Sequence, residues 1–327
     1  MNRKRFFSGI AASAGMLLLI LDSKTALSGA KAGIELCLQT VIPALFPFFV
    51  LSNVVTAAFA GNSLAVLRPL GRLCGIPKGA EAFLVTGFLG GYPVGAQTVA
   101  QAARDGILSR EDARRMLAFC SNAGPAFLFG MASSLFPKPW MAWALWGIHI
   151  LSAVLTSALF PSAEEGEIRL SMMPPVGFPE AMRRSLSAIA SVCGWVVLFR
   201  VLISFLQRWV LWLLPVPTQI CLIGALELTN GCCALAALPD ISLRFLLCSG
   251  MLAMGGLCVT MQTISVTPGI KLDLYLLGKL CQTVISLALA AAVMSHLGPV
   301  IPVLALVFLP FLGKRQKRCS FSERKAV

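Results

Sequence analysis

The chain is a succession of apolar stretches long enough to cross a membrane, and several of them are broken in the middle by glycine, proline and amide residues. A spanning helix needs about 20 apolar residues. In hydrocarbon an unmet backbone N–H or C=O costs several kcal/mol. Non-helical backbone therefore survives at membrane depth only where protein or a water-filled cavity surrounds it. Both conditions together restrict the chain to helices whose breaks are buried against one another.

Composition agrees. Hydrophobic residues make up 57% of the 327 and charged residues 13%, about half the charged share of roughly 25% in soluble domains. Too few polar residues remain to cover a water-facing surface, so open-surface soluble catalysis is excluded. The net charge is +13, and +8 of it sits in Arg3-Lys4-Arg5 and in the tail after Gly313. Charge placed this way is a topology signal. A nucleic-acid binder would spread basic and aromatic residues over a folded face, and no nucleic-acid partner is expected. The 11 cysteines form no CxxC pair, and His149 and His296 stand alone in apolar runs. No metal site, cofactor or catalytic set is read from them, and the chain is not expected to be an enzyme.

Along the chain, Phe6–Leu21 is either a first span or a signal peptide with Ala26, Ala30 and Ala32 as small residues for cleavage. Ile34–Ala60 is a span containing Pro43 and Pro47, each expected to kink it. Ala82–Ala103 is broken at Gly90–Gly95, and the Ser109/Asp112 spacing starts a helix near Arg110. That helix breaks at Asn122–Pro125 and runs on to Leu135; Pro139–Phe160 is clean. After a polar connection, Leu186–Phe205 is a span, with Trp209 and Trp212 suited to an interfacial belt. Thr218–Leu238 breaks at Glu227–Gly231 and Ile241–Thr267 at Gly255-Gly256; Lys271–Ser295 and a short Pro299–Leu312 complete the chain.

The order of elements repeats: long span, broken segment, broken segment, clean span. The predicted fold is therefore an all-α polytopic membrane protein of two inverted repeats with broken helices and re-entrant hairpins. Its parts are an N-terminal span and short loop (1–33), a first gate-like repeat (34–160), a cytoplasmic linker (161–185), a second gate-like repeat (186–313) and a basic cytoplasmic tail (314–327). In this topology 20 of the 27 Lys and Arg face the cytoplasm, Lys24, Lys31, Lys138, Arg208 and Arg244 lie outside, and Arg200 and Lys279 are within spans. The positive-inside rule supports it.

Half-helix ends meeting at a midplane can bind a polar solute through their dipoles. The candidate solute-binding residues are those polar groups beside the breaks: Tyr92, Gln97, Ser121, Asn122, Glu227, Thr229, Asn230 and Gln262. The hinge positions are Gly91, Pro93, Gly95, Gly124, Pro125, Gly231, Gly255 and Gly256. Glu227, the one acid deep in an apolar segment, admits two readings. It is a ligand for solute, proton or cation, or it is a structural carboxyl, paired with Arg200 or Lys279 or kept protonated. The expected partners are the lipid bilayer, a small polar solute, a coupling cation or proton, and a second copy of the chain.

The ordered set Pro43-Ala-Leu-Phe-Pro47 through Ser52-Asn53, Gly91-Tyr-Pro-Val-Gly95, Phe119-Cys-Ser-Asn-Ala-Gly-Pro125, Glu227-Leu-Thr-Asn-Gly231 and Gly255-Gly256 to Gln262 resembles the YlbJ family of sporulation integral membrane proteins. That family is grouped with the nucleoside-transporter/FeoB GTPase gate (nucleoside recognition) domain. The resemblance spans about residues 34–313. It implies a multi-pass protein in the mother-cell or outer forespore membrane that is needed for spore cortex formation, and it names no substrate. The expected function is a transporter or gate-like permease for a small polar solute. The alternative is a non-transporting scaffold that recruits cortex-assembly proteins.

Overall fold

The computed structural model describes residues 3–59, 64–160 and 177–295. The predicted last span, the basic tail and most of the linker lie outside them. In chain order the helices are α1 (Arg3–Leu21), α2 (Ser23–Leu36), α3 (Ile42–Phe59), α4 (Arg68–Leu73), α5 (Glu81–Leu89), α6 (Val94–Arg104), α7 (Arg110–Met116), α8 (Pro125–Leu135), α9 (Pro139–Ser157), α10 (Phe178–Trp209), α11 (Val216–Leu226), α12 (Leu228–Ala234), α13 (Ile241–Met254), α14 (Gly256–Val266) and α15 (Asp273–Met294). Among the described residues five segments are long and apolar enough to cross a membrane: Ser23–Val55, Pro139–Ser157, Phe178–Trp209, Ile241–Val266 and Asp273–Met294.

Local chemistry explains the boundaries. Ser109 caps α7 by accepting the Asp112 N–H at 3.0 Å, and its hydroxyl donates to the Asp112 carboxylate at 2.6 Å. Proline in the first turn starts α8, α9, α10 and α11, where its missing N–H costs no helix bond.

The first long span differs from expectation in two ways. The stretch read as a short loop before residue 34 is helical, beginning at Ser23 behind the Asp22 cap. Before Pro43 the helix widens into a π-helical turn over Cys37–Val41, where the Ile42 N–H donates to the Cys37 carbonyl. Pro43 cannot donate and its ring crowds the carbonyl four residues back. One extra residue in the turn absorbs both problems. Pro47 then sits inside the continuous α3.

Glycines bring the long helices together. A Cβ on Gly29 would lie 3.0 Å from the Val201 Cα of α10, and one on Gly33 2.9 Å from the Val197 Cα. This Gly-x-x-x-Gly stripe lets α2 and α10 pack backbone to backbone. Helix α10 itself starts at Phe178, within the segment expected to be linker.

Helices α5 and α6 form an antiparallel hairpin, and so do α11 and α12. At 7 to 11 residues each arm is about half the length needed to span. Both hairpins close on facing glycines, Gly87 against Gly95 and Gly224 against Gly231. In the first, Thr86 and Thr98 join hydroxyls at 3.2 Å further down the arms. The recurring order of long helix, hairpin, broken helix and clean helix is thus present in both halves.

Charge collects at the two ends. At one end the buried Arg115 donates to the carbonyls of Cys74 and Phe160, each at 3.0 Å, and to that of Gly75. There too Arg114 holds Asp273 with its Nε 2.8 Å from Oδ1, and Arg68 pairs with the buried Glu81 at 3.1 Å. At the other end Arg208 pairs with Asp22 at 2.9 Å, and Arg244 donates to the Leu135 carbonyl at 2.7 Å. Exposed Trp140, Trp143, Trp209 and Trp212 lie near this second end, as an interfacial belt requires. An epitope inserted at the exposed turn residue Gly106 is expected on the cytoplasmic side, and one at Lys138 on the opposite side. Antibody access in intact versus permeabilised cells checks this. The same side for both would contradict the arrangement.

Candidate functional site

The four breaks meet. The backbone at Gly91 lies against Gly124, so a Cβ on Gly91 would stand 3.2 Å from the Gly124 nitrogen. Gly255 lies against the Tyr92 ring, and Gly256 against the carbonyls of Gly224 and Ala225 just before Glu227. Gly91, Gly255 and Gly256 all adopt positive φ, a conformation that a side chain would strain.

Lys279 of α15 stands where three of these breaks converge. It is 4% exposed. Its Nζ donates to the Tyr92 hydroxyl at 2.9 Å, the Gln282 Oε1 at 2.9 Å, the Ala253 carbonyl at 3.3 Å and the Ser121 carbonyl. Tyr92 in turn donates to the Leu252 carbonyl at 3.1 Å. Leu252 and Ala253 are in the last turn of α13, whose final carbonyls have no partner within the helix. A hydroxyl and an ammonium supply the missing donors. The partial negative charge at a helix C-terminus also favours a cation there.

The network extends through amides. Gln282 Nε2 donates to the Asn122 Oδ1 at 2.8 Å, and Asn122 Nδ2 donates to the carbonyls of Phe119 at 2.7 Å and Gly87 at 3.3 Å. His149 Nε2 accepts the Ala123 N–H at 3.0 Å. A neutral imidazole that accepts at Nε2 carries its proton on Nδ1. His149 Nδ1 and Ser121 Oγ are both buried and have no hydrogen-bond partner among the described residues. Buried polar groups are as a rule hydrogen-bonded.

Of the residues expected at the site, the fold gathers Tyr92, Ser121 and Asn122 here, with Gly91, Pro93, Gly124, Pro125 and Gly255 forming their turns. Gly95 lies in the first turn of α6, where the hairpin closes. Glu227, Thr229, Asn230 and Gly231 make a second cluster at the third break, next to Gly256. There Glu227 caps α12: Oε1 accepts the Thr229 N–H at 3.0 Å, and Oε2 accepts the Asn230 N–H at 2.7 Å and its Nδ2 at 2.6 Å. It pairs with neither intramembrane base, because Arg200 turns to Gln207 at 3.3 Å and Lys279 to its own four oxygens. Gln262 donates to the Cys258 sulfur at 3.3 Å on α14, and the half-buried Gln97 joins neither network.

Sequence reasoning missed Lys279, Gln282 and His149 as members of the site. The signal for Lys279 is a base inside a clean span, which is functional by default, with Gln282 one turn later on the same face. Replacing Glu227 with Gln is expected to lower stability by about 1–2 kcal/mol, because an amide nitrogen would face backbone donors. The unfolding temperature of the purified protein measures this; an unchanged value would remove the capping role.

This is a multi-pass all-α membrane protein whose helices are interrupted at a shared, buried polar centre. Among curated proteins it is similar to the sporulation integral membrane protein YlbJ of Bacillus subtilis strain 168, at 25% identity over 293 residues covering 75% of this chain and 71% of that protein. The similarity supports the YlbJ-family assignment that the motifs suggest. No family model matches the chain, and no solved structure matches it.

Proposed function

We propose that the chain is a permease of the sporulation pathway, acting in a membrane around the developing spore on a small polar solute. The two halves are inverted relative to one another, and the broken helices act as the gate. The observation that carries this reading is the meeting of three breaks on a buried polar network in which Ser121 Oγ and His149 Nδ1 have no hydrogen-bond partner among the described residues. A scaffold that only displays a loop or a tail has no use for such a centre. Its unmet polar groups cost stability and return nothing unless something binds to them.

The test is complementation of a null strain of the chain's own host, scored as heat-resistant spores, with membrane abundance measured in parallel. Ser121→Val and His149→Leu are expected to lose complementation while the protein stays in the membrane. Deletion of residues 314–327 removes six basic residues and one acid, each cation worth about 1 kcal/mol of attraction to an anionic leaflet. A permease keeps its activity without them, because orientation is held by the bases that remain on the cytoplasmic side. The opposite pattern, with site variants active and the tail deletion inactive at normal abundance, would favour a recruiting scaffold.

A further inference from the structure

The oxygens around Lys279 are more than a lysine's hydrogen bonds require. An ammonium has three donors, yet four oxygens converge on Nζ: Tyr92 Oη, Gln282 Oε1 and the carbonyls of Ser121 and Ala253. Two of the four are backbone carbonyls at interrupted helices, one beyond the end of α7 and one in the last turn of α13. Among the described residues no carboxylate pairs with Lys279, so the charge is held by oxygen dipoles alone. Unwound carbonyls and half-helix C-terminal ends are how broken-helix membrane proteins coordinate small monovalent cations, with oxygen dipoles replacing the hydration shell.

We infer that this oxygen cluster is a monovalent-cation site in which the Lys279 ammonium is the resident cation, tethered to α15. The protein consequently needs no free alkali ion at this position, and the three breaks and α15 are held together by a charge that cannot diffuse away. Shortening the lysine empties the site and opens it to a free cation of similar size. The inference concerns the resting structure and does not rest on transport.

The experiment compares the unfolding temperature of the purified full-length protein and of Lys279→Ala at constant ionic strength in ammonium, potassium, sodium and N-methyl-D-glucamine chlorides. The wild type is expected to be indifferent to the cation. Lys279→Ala is expected to unfold lower in N-methyl-D-glucamine and to recover by about 3 °C or more as ammonium or potassium is raised. The further change Tyr92→Phe in that background removes one oxygen and should weaken the response several-fold. A Lys279→Ala protein with the same unfolding temperature in all four salts overturns the inference, since water would then suffice. So does a wild type that responds as strongly as the variant. If Lys279→Ala is recovered only from ammonium or potassium buffers, the site has been found. If neither it nor Lys279→Gly is recovered in any of the cations, the inference falls.

Discussion

Gly95→Val is expected to abolish function and to lower the unfolding temperature of the purified protein more than any other single glycine change in the two hairpins. A Cβ at Gly95 would stand 2.8 Å from the Gly87 Cα and closer still to the Cys120 carbonyl oxygen, while one at Gly87 would stand 2.6 Å from that same oxygen. Both obstacles are backbone, so no rotamer change relieves them. Overpacking a core costs typically about 1–3 kcal/mol when side chains can move, and here they cannot. A loss of about 3 kcal/mol or more follows, read as poor recovery or early unfolding. The hairpin would be levered away from the second break, pulling Tyr92 from Lys279 and Asn122 from Gly87. Gly130→Ala is the control: nothing lies within 4 Å of a Cβ there, and alanine suits a helix interior better than glycine by roughly 0.5–1 kcal/mol. If Gly95→Val is as stable and active as Gly130→Ala, the hairpin does not dock as described.

Asn122→Ala should be nearly as damaging for a different reason. Asn122 is fully buried and joins the second break to α15 through Gln282 and to the first hairpin through Gly87. Alanine leaves Gln282 Nε2 with only the His149 carbonyl at 3.5 Å, and strips donors from the Phe119 and Gly87 carbonyls. Each unmet buried group costs about 1–3 kcal/mol, whereas removing both partners of a bond together can be close to neutral. The expected loss for Asn122→Ala is therefore about 2–4 kcal/mol. Asn122→Ala with Gln282→Leu should lose less than the two single changes added together, with a coupling of about 0.5–3 kcal/mol. Additive losses would mean that the two amides do not act as a unit. Complementation by each variant, measured beside its stability, separates loss of the site from loss of the fold.

The comparison of sequence with structure divides along the range of the forces involved. Hydrophobic run length established a helical membrane protein, because a bilayer accepts little else that leaves backbone groups satisfied. The positions of the breaks were legible to within a few residues. Helices stop at Leu89, Leu226 and Met254, at the start of the Gly90–Gly95, Glu227–Gly231 and Gly255-Gly256 motifs, since a missing N–H, a missing Cβ or a capping carboxylate acts within one turn of its own backbone; the helix read as running from Arg110 to Asn122 instead ends at Met116, six residues earlier, and α8 begins at Pro125. The Ser109 cap was readable for the same reason. The π-helical turn before Pro43 was not, because a proline dictates only that something must give, and packing decides how.

What the breaks enclose was decided by tertiary structure alone. Lys279 reaches Tyr92 across 187 residues of chain and Ser121 across 158, and nothing in the local sequence of α15 names those partners. From sequence, Glu227 stood open between a ligand of the site and a structural carboxyl, paired with Arg200 or Lys279 or kept protonated. In the fold the carboxylate turns back on the first turn of its own short helix, where three N–H donors lie within 3.0 Å, and the lysine stands at the centre. A cap is a contact between near neighbours, and even so its competition with a distant ion pair is settled only when the helices have packed. The convergence of three separately readable breaks on one buried amine is a property of the packing, which glycine faces such as Gly87 and Gly95, or Gly29 and Gly33, make close.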